Sequence, residues 1–439
     1  MADFLYKALG FDSSRHKFRT EIVAGITTFL TMAYILAVNP GIFSALAGQG
    51  MPTDAVFTAT ALAAVVGTLM MAFYAKKPFG LAPGMGLNAF FVYSVCLGMG
   101  YSWQFALTAI FIEGIIFIIL SITKVREMIV NAIPTSLKNA IGAGIGLYIA
   151  LIGLKSAGIV VDDEACLVGL APLKYSAITP DVILALIGFV LTAALVLLNV
   201  KGGILIGILA TTLIGIPMGV THFNGVVSAV PSIKPIFLQF SWSEICSLDM
   251  VVVVLTFLFI DMFDTIGTVI GVSIKAGMVD EKGNVDGVSR ILMADAVATT
   301  VGACLGASTT TTYIESASGV SAGGRTGLTS LTIAVCFALA LFLSPLFLAI
   351  PSAATGPVLV IVGVMMMSPI GKINWNDYSE AIPAFLTCTM MPFTYSIAHG
   401  IMIGMISYVV FNAFAGNFKK ISPVMWVLAV LFVLRYVFM

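Results

Sequence analysis

The chain has 439 residues, 59% of them hydrophobic and only 10% charged, with 21 basic and 21 acidic side chains in balance and a mean hydropathy of +1.08. Soluble domains carry about 25% charged residues, so a water-soluble globular protein is excluded. No basic run appears, which excludes nucleic acid as a partner. An integral membrane protein is what remains.

Residues 1–21 contain Arg15, His16, Lys17 and Arg19 but no apolar core followed by a cleavage site, so they read as a cytosolic leader and the first span is retained. Apolar stretches follow at 22–40, 55–74, 87–99, 103–122, 139–160, 182–200, 203–219, 249–273, 291–306, 314–322, 327–349, 355–369, 381–394 and 397–414. That is fourteen expected spans, several of them shorter than the ~20 residues of a full helical crossing. A last apolar segment, 423–438, contains Arg435 and could cross, lie in the interface or pack against the bundle. With a cytosolic N-terminus, nearly all loop Lys and Arg fall inside and only Lys155, Lys174 and Lys234 outside, which supports both the orientation and the span count. The cysteines show no metal-ligand spacing; Cys166 and Cys246 sit in expected outside loops, where a disulfide is conceivable.

The two halves match in order. Thr28-Phe29-Leu30 corresponds to Thr256-Phe257-Leu258, and ATALAAVVGTLMMA from Ala59 aligns with ADAVATTVGACLGA from Ala294. Ile133-Pro134-Thr135 corresponds to Ile350-Pro351-Ser352, and Gly203 to Gly207 corresponds to Gly400 to Gly404. Seven spans per copy is odd, so the second copy enters from the opposite side: the reading is an all-α polytopic protein of two inverted repeats, a transporter architecture.

Five carboxylates, Glu113, Asp261, Asp264, Asp295 and Glu315, lie in apolar stretches that contain no Lys or Arg. A carboxylate in that setting must bind a proton, a cation or a polar ligand. In inverted-repeat carriers the site lies where interrupted spans meet, here spans three and ten. Span three opens with Phe79-Gly80-Leu81-Ala82-Pro83-Gly84-Met85-Gly86-Leu87-Asn88, where one proline and three glycines interrupt the helix. Span ten opens with Ser308, Thr309 to Thr312 and Tyr313, residues that favour a strand, before a short helix from about Glu315 and Ser316. Each of these spans is therefore expected to be part strand and part helix, enclosing a cavity. On span eight Asp261, Asp264, Thr265 and Thr268 share one helical face, and two carboxylates a turn apart make it easy for one to hold a proton.

Plainer roles compete with these. Glu113 and Asp295 read as scaffolding that caps neighbouring backbone, Asn88 could be a helix cap, and the glycines of span three could serve helix packing. His16, His222 and His399 lie in the leader, a loop and a short link, and read as incidental.

Four segments carry a resemblance that covers nearly the whole chain: Thr31 to Pro40, Ala82 to Phe91, Phe263-Asp264-Thr265-Ile266-Gly267, and Thr312 to Gly319. The chain resembles the nucleobase:cation symporter family of the uracil-permease type, in its AzgA-like branch of purine permeases for adenine, guanine and hypoxanthine. The resemblance implies a fourteen-span inverted repeat with a core domain, 22–122 and 249–349, and a gate domain, 123–219 and 350–415, followed by the segment 416–439. It implies substrate binding by Asn88, Asp261 and Glu315, with Gly86 and Asp264 also important. Where the uracil-type branch has Glu-His-Ile-Gly-His, this chain has Asp264-Thr265-Ile266-Gly267-Thr268, so a proton route borrowed from uracil carriers does not transfer.

A purine is a flat neutral base, so carboxylates and an amide can hold its edge while Phe90, Phe91, Phe263 or Tyr313 cover its faces, with Ser316 beside them. Proton loading on Asp261, Asp264 or Glu315, with Thr268 on the same face, would couple import to the proton gradient. The expectation is a permease, not an enzyme, that imports purine bases by proton symport across the cell (inner) membrane. No metal and no cofactor beyond the coupling ion is called for, with Na+ left open, and lipid and a homodimer are the other partners considered. An anion or other small-solute carrier of this fold, or a pyrimidine, xanthine or urate carrier, is the alternative. An intramembrane aspartyl protease would need its two aspartates on facing helices, whereas Asp261 and Asp264 share one.

Overall fold

The computed structural model describes residues 2–123, 133–163, 167–172, 179–223, 225–278 and 285–438. Its helices are α1 (Ala2–Leu9), α2 (Phe18–Met32), α3 (Ile35–Phe43), α4 (Thr53–Met70), α5 (Met85–Ala89), α6 (Trp103–Thr123), α7 (Thr135–Ser156), α8 (Pro180–Leu197), α9 (Gly203–Gly215) and α10 (Leu248–Ala276). They continue with α11 (Val288–Leu305), α12 (Ser316–Ser321), α13 (Gly327–Ala340), α14 (Ser344–Leu348), α15 (Ser352–Met366), α16 (Tyr378–Phe393), α17 (Ile397–Phe414) and α18 (Pro423–Phe438). Four short strands accompany them: β1 (Leu81–Pro83), β2 (Val160–Asp163), β3 (Leu167–Leu170) and β4 (Thr310–Thr312). Among the described residues nine helices are long and apolar enough to cross a membrane, and the chain is an integral multi-pass membrane protein.

Each apolar stretch read from the sequence carries a helix, with breaks that hydropathy did not reveal, among them Leu341–Leu343 between α13 and α14. The first stretch turns between α2 and α3, where Leu36 N donates to Ala33 O and Ala37 N to Tyr34 O, tighter bonds than the helical register provides. The break matters because it buries Tyr34 in the middle of the bundle. The third stretch begins as α5 and widens into a π-helical segment, Phe90–Gly98. Cys246 is exposed and Cys166 lies outside the described residues, as do Lys124, Arg126, Lys174 and Lys282.

The helices pack in two groups. In the first, α2 and α4 lie against α13, α11 lies between α4 and α6, and α10 runs beside α6 and α12. In the second, α7 packs against α15 and α16, α16 against α17, and α8 against α9 and α15. The α7–α15 crossing is made by backbone: a Cβ on Gly146 would lie 2.6 Å from Gly363 O, and one on Gly153 would lie 2.5 Å from Gly356 O. The contacts are reciprocal, since a Cβ on Gly356 or Gly363 would strike Gly153 O or Gly146 O at 2.6 and 2.5 Å. Small residues permit this approach, and close packing supplies what the hydrophobic effect cannot between helices in lipid. Between the groups, α7 meets the short α5 and α10.

Candidate functional site

The site is built around a two-stranded ribbon at membrane depth. β1 pairs antiparallel with β4, Leu81 opposite Thr312, Ala82 opposite Thr311 and Pro83 opposite Thr310. Gly84 N to Thr309 O and Tyr313 N to Gly80 O, both 3.0 Å, extend the ladder at its ends. Such a ribbon has edge amides and carbonyls that lipid cannot satisfy. Side chains satisfy them: Thr68 Oγ1 accepts from Leu81 N at 3.0 Å and donates to Leu81 O at 3.1 Å, Thr299 Oγ1 donates to Thr310 O at 3.0 Å, and Ser316 Oγ accepts from Gly80 N at 3.0 Å. Asp295 Oδ1 accepts from Thr312 N at 2.9 Å and from Thr312 Oγ1 at 3.2 Å.

Two half-helices start from this ribbon, α5 after β1 and α12 after β4, as the Gly-Pro run and the threonine run indicated. Asn88 is fully buried one turn into α5, where its amide oxygen accepts from Ser308 Oγ and its amide nitrogen donates to Pro83 O at 3.5 Å. It ties α5 to the residues that lead into β4. Glu315 sits at the N-cap of α12, where Tyr34 OH donates to its Oε1 at 2.5 Å. Thr31 Oγ1 reaches Ser318 Oγ at 2.9 Å and stitches α2 to the same half-helix. Tyr313 OH donates to Pro83 O at 2.5 Å, so its ring bridges the two strands.

From α10, Asp261 is fully buried with Oδ1 3.0 Å from Thr265 Oγ1. Asp264 is only half-buried, and its Oδ2 lies 3.8 Å from where a Cβ on Gly84 would stand. It is near enough to Asp295 and Glu315 to feel their charge. Asp264 and Glu315 are thus the two acids of the original five that keep some exposure, while Glu113, Asp261 and Asp295 have none. Gly86 faces the other helix group: a Cβ there would sit 2.8 Å from Ile145 Cγ2 of α7. The bare backbone is what allows α5 to rest on α7.

Several expected residues take other places. Phe90 and Phe91, at the start of the π-helical segment, are buried against Phe257 and Phe43, with ring centroids 4.8 and 5.0 Å apart. Ser316 spends its hydroxyl oxygen on the ribbon edge. Thr268 is buried one turn beyond Asp264, and the side chain of Phe263 lies outside the described residues. The side chains of Thr309 to Thr312 also contribute: Thr309 Oγ1 donates to Glu113 Oε2 at 2.9 Å, and Thr311 Oγ1 lies 2.7 Å from Thr265 Oγ1. Tyr34 and the contact of Asp295 with Thr265 escaped the sequence reading; the Ala33-Tyr34 step inside an unbroken apolar run gave no local signal.

A profile of the Permease family matches residues 19–403. The adenine permease AdeP of Escherichia coli is 43% identical over 420 residues, covering 96% of this chain and 93% of its own length. The guanine/hypoxanthine permease PbuG of Bacillus subtilis is 44% identical over 439 residues, covering 98% of each. The chain belongs to the nucleobase:cation symporter-2 family, in its AzgA-like branch. Solved structures similar to this permease include the transmembrane domain of a cyanobacterial bicarbonate transporter, BicA, with TM-score 0.64 at 14% identity over 89% of this chain and 97% of that one. The murine anion transporter Slc26a9 in its inward-facing state gives TM-score 0.66 at 13% identity over 92% of this chain and 69% of that one. At those identities the likeness concerns fold alone. The permease has the transporter fold of these proteins around an acidic site of its own.

Proposed function

We propose that this permease imports purine nucleobases, hypoxanthine, guanine or adenine, as a secondary active transporter driven by protons. The purine class rests on the relatives, whose names give adenine and guanine/hypoxanthine as their cargo. The observation that carries the local reading is the convergence of Asp264, Glu315 and Tyr34 beside two half-helix starts, next to the buried Asp261. Ring N–H groups of a neutral base suit such carboxylates, and an anion does not. Asn88, Asp261 and Glu315, with Gly86, Tyr313, Ser316 and Phe263 around them, are the proposed binding set; Asp264, with Asp261, Glu315 and Thr268, is the proposed proton-handling set.

The wider reading is fourteen spans in two inverted repeats. Two features support it: the antiparallel pairing of β1 with β4, and the reciprocal glycine crossing of α7 with α15, each joining elements that correspond between the halves. The first helix group, 22–122 and 249–349, would form the core and the second, 123–219 and 350–415, the gate, with the base held where Gly86 meets α7. A cytosolic N-terminus in the cell membrane follows from the loop charges, and the outward face of α8, where Ile183, Ile187 and Val190 are exposed, offers a surface for lipid or a second copy.

The test is uptake of radiolabelled hypoxanthine, guanine and adenine into cells lacking their own carriers, with and without a protonophore. Uptake of none of the three refutes the purine reading. Uptake indifferent to the protonophore refutes proton coupling alone.

A further inference from the structure

Thr265 stands between two acids. Its Oγ1 lies 3.0 Å from Asp261 Oδ1 on its own helix, 2.9 Å from Asp295 Oδ2 on α11 and 2.7 Å from Thr311 Oγ1 on β4, and all four side chains are buried. A hydroxyl carries one hydrogen and two lone pairs, so it can donate once and accept twice. The single hydrogen of Thr265 can lie on only one of its two contacts with carboxylate oxygens. The other contact is a hydrogen bond if the carboxyl on that side brings a hydrogen of its own.

Asp295 is the one suited to be ionised, because its other oxygen already accepts from Thr312 N and Thr312 Oγ1. We propose that Asp261 and Asp295 share one proton through Thr265. In one state of the pair Asp261 donates to Thr265 Oγ1, Thr265 donates to ionised Asp295, and Thr311 fills the second lone pair. Moving one hydrogen along each link gives the alternate state: Thr265 takes the Asp261 proton, passes its own to Asp295, and Asp261 is left as a carboxylate. No proton is gained or lost and the pair carries a single negative charge throughout.

The consequence for transport rests on the purine–proton reading above. A base offering a ring N–H at Asp261 favours the carboxylate there, so its arrival drives the proton to Asp295 without releasing it to water, and proton and cargo stay together while the carrier reorients. Thr265 and Asp295 are then positioning residues that act through Asp261. Among the described residues, titratable groups nearby include Asp264 on α10, close enough to Asp295 and Glu315 to feel their charge, Tyr34 on Glu315, and Glu113, which Thr309 contacts.

Asp295→Asn separates a relay from a scaffold. Its amide oxygen can still accept from Thr312 and its amide nitrogen can donate to Thr265, which reproduces the alternate state permanently. Hypoxanthine exchange between preloaded and external pools is expected to persist, while accumulation against a gradient and its dependence on external pH are lost; Thr265→Ser, which keeps the hydroxyl, is expected to retain both, and Thr265→Val to lose accumulation. Accumulation by Asp295→Asn with the parent's pH dependence overturns the proposal, as does loss of exchange and accumulation together in folded, membrane-inserted protein. A second readout needs no substrate: infrared difference spectra of the purified parent should show a deuterium-sensitive protonated-carboxyl C=O band that disappears in both Asp261→Asn and Asp295→Asn. A band that survives Asp295→Asn, or no such band in the parent, overturns sharing. A parent that takes up no purine refutes the substrate reading and leaves the infrared measurement to decide the relay.

Discussion

Replacing Tyr34 by phenylalanine isolates one hydrogen bond of the site. The tyrosine is fully buried, so the ring keeps its packing in the variant, and the change is the loss of the hydroxyl that donates to Glu315 Oε1 at 2.5 Å. Hydrogen bonds to charged groups contribute about 1.5–3 kcal/mol, and each 1.4 kcal/mol is about tenfold in an equilibrium constant. If Glu315 holds the purine edge with its second oxygen, Tyr34 fixes the carboxylate in position, and Tyr34→Phe should weaken hypoxanthine affinity by about tenfold to a hundredfold. The effect should fall on the half-saturating concentration for uptake and on equilibrium binding to membranes, with expression and thermal unfolding near the parent's. Parent affinity in correctly inserted Tyr34→Phe protein would show that the Tyr34–Glu315 contact has no part in holding the ligand.

Gly86→Val should abolish transport by pressing side chain against Ile145 Cγ2, where even a Cβ would sit at 2.8 Å; Ile145→Ala in the same chain should restore part of the rate, and a double variant no better than Gly86→Val would remove that contact from consideration. Gly363→Leu should lower the unfolding temperature, since overpacking costs about 1–3 kcal/mol or more where backbone is the neighbour; an unchanged melting curve would mean that α7 and α15 can part without loss. Glu21→Ala should destabilise the protein by about 1–3 kcal/mol, because the buried Glu21 carboxylate accepts from Arg325 N, Thr326 N and Thr329 Oγ1 at 3.1, 3.2 and 2.5 Å. At the rim, hydrogen bonds from Ser379, then contact with Lys420, hold the Asp377 carboxyl below its usual range. Its contribution is therefore present above the ordinary carboxylate range and lost as pH falls through the depressed value, so thermal unfolding of Asp377→Ala should differ from the parent at neutral pH and converge with it in acid. A gap that persists in acid would contradict this.

The helices were legible because length and hydropathy in a bilayer are constraints on consecutive residues, and α6 or α7 needs no knowledge of its neighbours to be seen. The two interruptions were legible for a similar reason: Gly80, Pro83, Gly84 and Gly86 deny a helix locally, and Thr309 to Thr312 favour extension locally. What could not be read was partnership. Asp295 reads as scaffolding that caps backbone, and it does accept from Thr312 N, 17 residues on; its contact with Thr265, 30 residues back, has no mark in the sequence. Phe90 and Phe91 are ligand covers by type, but their ring partners, Phe257 and Phe43, and the widened helical turn that carries them are not visible to a periodicity of 3.6 residues per turn. Glu21 was passed over because it stands just before the first apolar stretch, although it caps α13 from across the bundle.

The glycine crossing of α7 with α15 has a mechanical meaning. Where backbone rests on backbone at two levels two turns apart, the contact points have no rotamers to change and cannot absorb displacement, so the pair resists shear and behaves as one stiff plate. Motion of the carrier is then concentrated at the softer seam, where α5 touches α7 through a glycine on one side and the terminal methyls of Ile145 and Ile149 on the other. Aliphatic methyls against bare backbone form no directional bonds, so the contact at Gly86 can slide freely, and the Ser94 Oγ–Tyr148 OH contact at 3.2 Å farther along the same span is the bond that such motion has to exchange. Distances measured across Gly146 and Gly363 should stay constant through the transport cycle, and those across Gly86 and Ile145 should not.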